Sequence, residues 1–148
     1  MKAITLWQPW ASLIAHGFKT IETRRHNHFA CLVGQRIAIH AGKSFDPSFA
    51  ETAAPYLYRR GRDVLKEAEA LVYARDPLAL KADLPRGAVV CTALVDSARK
   101  LGGGLVDNGS ALCYTVGLYG LILTDIERLD PPVPARGKQG IWEWEPSP

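Results

Sequence analysis

Cysteine is scarce in this chain, and what there is lies far apart. Cys31, Cys91 and Cys113 are odd in number and form no C-x-x-C pair. That argues against a disulfide framework or a zinc site and for free thiols in a reducing compartment, the cytoplasm by default. Long apolar runs are missing too: none approaches the ~20 residues that a bilayer requires, so no membrane partner is expected. The opening "MKAITLWQPW" holds one lysine and a Gln-Pro break inside its only apolar stretch, unlike a signal peptide. There is no internal repeat, low-complexity tract or linker. The 148 residues are therefore expected to form one domain, and 47% hydrophobic against 22% charged residues suits a packed core rather than disorder.

Acidic residues are nearly absent where basic ones concentrate. Residues 1–43 carry Lys2, Lys19, Arg24, Arg25, Arg36 and Lys43 against Glu22 alone, while residues 101–148 carry a net −3. A total of +3 is mild for a nucleic-acid binder. Its distribution places any anionic partner at the N-terminal third. A solvated basic face would read the same way.

Along the chain, "AITL" reads as a short strand and "QPWASLIAHG" as a helix. Pro9 suits a first helical position, Gly17 a left-handed stop, and Trp10, Leu13 and Ile14 make an apolar stripe opposite Ser12 and His16. "TIETR" then alternates, setting Ile21 and Thr23 against Thr20, Glu22 and Arg24. "NHFACLVG" reads as a loop before the strand "RIAIHA", which places Ile37 and Ile39 opposite Arg36, Ala38 and His40. Two helices are expected over "FDPSFAETAAPYLYRRG" and "RDVLKEAEALVYAR", the second amphipathic through Val64, Leu65, Ala68, Leu71 and Val72. The turn "LPRG" leads into the strand "AVVCTALVDSA". "LGGGLVDNGS" is a flexible loop, "YGLILTDIERL" a strand, "DPPVPARGKQG" a proline-stiffened loop, and "IWEWE" the closing strand. This order predicts a mixed α+β domain built on a small β-barrel with flanking helices.

Several short motifs invite chemistry that their surroundings do not supply. "AGKS" at 41–44 follows a strand as a phosphate-binding loop does, but the required first glycine is Ile37. Lys43 could still meet a phosphate. "SARK" at 97–100 lacks the partner motifs of serine acylases. "HNH" at 26–28 offers two imidazoles with no third ligand at useful spacing, so no metal or cofactor is expected. His40, at the end of a buried-looking strand, reads as a satisfied core group. The four tryptophans, 7, 10, 142 and 144, lie near the two ends of the chain. Pairing of the first and last strands would bury most of them, and a base-stacking platform is the other use.

The stretch "LWQPWASLIAHGFKTIETRR" resembles the N-terminal signature of the ASCH family (activating signal cointegrator homology), whose fold is similar to the PUA RNA-binding domain. The family's G-x-K-x-x-E-x-R pattern is matched by Gly17, Lys19, Glu22 and Arg24, and its upstream helix by Gln8, Pro9, Trp10 and Ala11. "RIAIHAGK", "LPRGAVVCTALVD" and "PPVPARGKQGIWEW" are similar to later segments of the family, in the same order. The resemblance covers nearly the whole chain, with a variable insert at about 44–82.

It implies a PUA-like barrel with a cleft lined by the hallmark residues. Burying Lys, Glu and Arg together costs several kcal/mol unless they pair, so a ligand role accompanies the pairing. Two functions follow. One is binding of RNA, single-stranded nucleic acid or a nucleotide or nucleoside. Gln8, Trp10, Lys19, Glu22, Arg24, His40, Lys43, Arg136 and Lys138 would form its ligand set, with the cations on phosphates and a ring stacking a base. The other is hydrolysis, as a ribonuclease or an amidohydrolase on modified cytidine, with Lys19 as activating amine and Glu22 as acid/base. The amidohydrolase pattern places a threonine three residues after the lysine, where this chain has Glu22. A protein-interaction adaptor is a third reading.

Overall fold

The computed structural model describes residues 1–46, 84–101 and 119–146. The expected helices of the 44–82 insert and the glycine-rich loop after Leu101 lie outside the described residues. The elements are β1 (Lys2–Gln8), α1 (Trp10–Ala15), β2 (Ile21–Arg24), a short 3-10 helix (His28–Leu32), β3 (Arg36–Phe45), β4 (Ala88–Lys100), β5 (Tyr119–Pro134) and β6 (Ile141–Glu143). No helix among the described residues is long and apolar enough to cross a membrane.

The strands form one six-stranded sheet in the order β2-β5-β4-β3-β1-β6. All neighbours are antiparallel except β1 and β3, which run parallel. The sheet is not closed into a barrel, which corrects the expected architecture. It curls instead: Thr5, Leu6 and Trp7 of β1 face Glu22 and Arg24 of β2 across a small cleft.

The β1–β3 pair is buried on both faces. On one, Ile4, Leu6, Ile37 and Ile39 pack with Ala11 and Ile14 of α1 and with Phe29 and Leu32 of the 3-10 helix. On the other, Ala3 stands opposite Ala38 in register, and Ala3 is also opposite Trp142 of β6. Two alanines side by side leave room for the indoles of Trp142 and Trp144, which are 8% and 7% exposed. The first and last strands therefore pair, as expected. Trp7 is not among the buried tryptophans: it is 56% exposed.

Three local expectations are also corrected. "NHFACLVG" folds partly as the 3-10 helix, because Phe29 and Leu32, three apart on one side, reach the core. Ser12 does not face solvent: its Oγ accepts from Gln8 Nε2 at 2.8 Å, and its backbone N–H donates to Gln8 Oε1 at 3.1 Å. β5 continues through Pro131–Pro134 instead of giving way to a loop. Beyond residue 122 β5 pairs only with β4, so its other edge needs no N–H from the prolines. Gly17, at φ +75°, ends α1 as its composition suggests.

Cys91 sits inside this core, and burial pushes its thiol up from 9.0 to about 12. Its thiolate, the reactive form, is thus suppressed. Alkylation near pH 8 followed by peptide mapping should modify exposed Cys31 in the native protein and Cys91 only in denaturant. Rapid native modification of Cys91 would contradict the packing described.

Candidate nucleotide-binding cleft

The hallmark residues are set by the turn between α1 and β2. The chain leaves α1 through Gly17, and the N–H groups of Phe18 and Lys19 both bond to Leu13 O. That turn directs Lys19 inward, where it is 3% exposed. Its ammonium donates to Ile21 O, lies 3.4 Å from Glu22 Oε2 and sits over the Trp10 ring at 5.7 Å. Glu22 Oε1 lies 3.4 Å from Arg24 Nε on the other side. Arg24 in turn stacks its guanidinium 4.6 Å from the Phe29 ring. Its Nε and Nη2 are buried without a hydrogen-bond partner. One carboxylate thus lies between two cations, and open space adjoins only part of the group. Glu22 and Arg24 line a cleft of about 230 Å³, with Thr5, Trp7 and Trp10; Lys19 does not.

A larger cleft of about 610 Å³ adjoins it, sharing Thr5, Trp7 and Arg24. Its floor is the Thr5–His40 pair, the next register pair on the Trp142 face after Ala3–Ala38. Its roof is the 135–140 segment between β5 and β6. The Thr5 hydroxyl donates to Lys138 O at 2.8 Å and accepts from Trp142 Nε1 at 3.2 Å. His40 Nε2 bonds to Ala135 O at 3.1 Å, and the ring meets Trp142 edge-on at 5.7 Å. Gly137 lies directly against this ring: a Cβ there would collide with His40 Cε1 and Nδ1 and sit 2.9 Å from Thr5 Oγ1. Glycine is required by close approach here.

The wall includes Arg24, Lys43, Arg136 and Lys138 and, among the described residues, no carboxylate. Among the described residues, Lys43, Arg136 and Lys138 have no ion-pair partner. Exposed Trp7 supplies an aromatic face beside them.

The structure therefore brings together Arg24, His40, Lys43, Arg136 and Lys138 from the expected ligand set, with Glu22 and Trp10 in the adjoining cleft. Gln8 lines neither. It is fully buried, and its Nε2 ties Ser12 Oγ to Pro85 O at 2.6 Å. Trp10 donates to Asp46 Oδ2 at 2.9 Å. The ligand set expected from sequence leaves out Thr5, Trp7 and Gly137, all of which line the larger cleft. Alternation in β1, with Ile4 and Leu6 inward, does place Thr5 and Trp7 on the opposite face. His26 and His28 stack at 4.2 Å, but among the described residues no group of three side chains could hold a metal.

No family model and no curated protein matches the chain. Among solved structures it is similar to two mutant ZmASCH proteins from Zymomonas mobilis. One is 14% identical, with 97% of this chain and 87% of that chain covered at a TM-score of 0.50. The other is 14% identical, covering 97% and 89% at 0.49. The first likeness, spanning nearly the whole chain, gives this protein an ASCH-like fold.

Two outcomes follow from this geometry. Removing Glu22 leaves buried Lys19 without its carboxylate, so Glu22→Ala should cost about 3–5 kcal/mol in denaturant unfolding. A loss below ~1 kcal/mol would mean that the pairing does not hold the turn. His40 is held below its ordinary 6.5, burial outweighing the Ala135 hydrogen bond. The unfolded chain thus takes up this proton first, so stability is complete above pH 6.5 and falls as pH drops below it. That decline should be shallower in His40→Gln, measured by unfolding across the acid range.

Proposed function

We propose that this ASCH-like domain binds RNA or a nucleotide in the large cleft, with phosphates against Arg24, Lys43, Arg136 and Lys138 and a base stacked on Trp7. The supporting observation is the wall itself: four cations beside an exposed indole, with no carboxylate among the described residues that line it. Such a surface attracts an anion, and an exposed ring offers stacking to any base. The role is in RNA metabolism or its regulation. Scattered free cysteines fit the reducing setting of the cytoplasm. A hydrolase would need Lys19 to reach substrate, and that amine is 3% exposed and occupied by Ile21 O and Glu22. Binding without catalysis is therefore the reading we favour.

Titration of labelled single-stranded RNA by fluorescence anisotropy at several salt concentrations tests this. Affinity should fall with salt, and Lys43→Ala should reduce the log–log slope by roughly 0.7. Trp7→Ala should weaken binding by about 1–3 kcal/mol while leaving unfolding unchanged, since the ring is mostly exposed. Binding indifferent to both salt and Trp7 would remove the proposal.

A further inference from the structure

We infer that His40 reads a hydrogen-bond donor of the ligand, a hydroxyl or an exocyclic amine lying beside its phosphate. The inference rests on the nucleotide-binding reading above and adds the source of its selectivity. His40 is 3% exposed and lines the large cleft. Its Nε2 faces Ala135 O, which only accepts, so Nε2 carries the ring proton and Nδ1 presents a lone pair. That Nδ1 is buried and has no partner.

Among the described residues, the side chains that meet this ring have no proton to spare. The Thr5 hydroxyl is spent on Lys138 O, and Trp142 Nε1 donates to Thr5. Gly137, packed against the same edge, has no side chain to offer. A buried acceptor left without a donor is unfavourable, and a ligand bearing one relieves that cost. Phosphate oxygens meet the surrounding cations but bring no proton at neutral pH. The donor therefore comes from elsewhere on the ligand: a ribose 2′-hydroxyl or the exocyclic amine of a base. Burial also disfavours the imidazolium, so the ring remains an acceptor near neutrality.

The test uses the full chain and four short single-stranded probes: oligouridylate and oligoadenylate, each in ribose and deoxyribose form. His40→Gln is the matched variant, because its carboxamide N–H can still reach Ala135 O while nothing replaces Nδ1. If the hydroxyl is the donor, both ribose probes should bind roughly three- to tenfold tighter than their deoxy counterparts. If the amine is the donor, adenylate should exceed uridylate by the same factor whatever the sugar. Either preference should vanish in His40→Gln, with the weaker probes bound as before. A preference that survives in the variant, or four equal affinities in the wild type, overturns the role of His40 and leaves the cleft standing. No binding to any probe overturns both. The ¹⁵N resonance of Nδ1 provides a readout that requires no variant: it should shift only with probes bearing the donor, and an unchanged signal overturns the inference.

Discussion

The position of the cleft follows from where the β1–β3 pair stops being covered. Ile4 and Ile39 are sealed under α1 on one face, and Ala3 and Ala38 under Trp142 and Trp144 on the other. Both faces are used up until the register reaches Thr5 and His40. There Trp142 still touches both residues, and the 135–140 segment joins it as a polar roof, held by Thr5 and His40 themselves. Residues that would otherwise be core become a floor. A sheet dry on both sides tolerates polar groups only where they find partners, and at this point the chain supplies most of them but not all.

The hallmark charges divide between structure and ligand along a line that spacing alone does not draw. Lys19, Glu22 and Arg24 form one connected group, yet the backbone turn after Gly17 sends the lysine inward while strand alternation carries the arginine outward. Glu22 faces both. Its carboxylate offsets the buried lysine and lies near the arginine without fully engaging it, since two guanidinium nitrogens have no hydrogen bond. A buried ion pair contributes little net stability, and its more evident effect here is to fix the direction in which Arg24 points.

Much of this could be read before the fold was seen. Gly17 as a stop, the alternation of Ile37 and Ile39 against His40, and pairing of the terminal strands all rest on local backbone rules, and the structure agrees. The G-x-K-x-x-E-x-R pattern located the ionic group. Other features depend on partners that local pattern does not name. Trp7 is exposed because β6 covers the Ala3 end of β1 and not its far end. Ser12 is inward because Gln8 turns back to meet it. Pro131–Pro134 extend a strand because β2 is too short to accompany β5 that far. Each is decided by which neighbour is absent, and composition records only what is present.

The cleft also separates long-range attraction from recognition. Lys43, Arg136 and Lys138 are exposed side chains whose ordering costs up to about 2 kcal/mol each, so their net contribution is mainly salt-sensitive attraction over distance. Arg24 begins in a different state. Phe29 stacks beneath it and Glu22 lies at its edge, so its geometry is largely set before a ligand arrives and little freedom remains to be lost. His40 is fixed more firmly still, between Ala135, Trp142 and Gly137. The gradient from mobile rim to fixed floor is what a site needs if anions are gathered broadly and then sorted by the groups that accompany their charge.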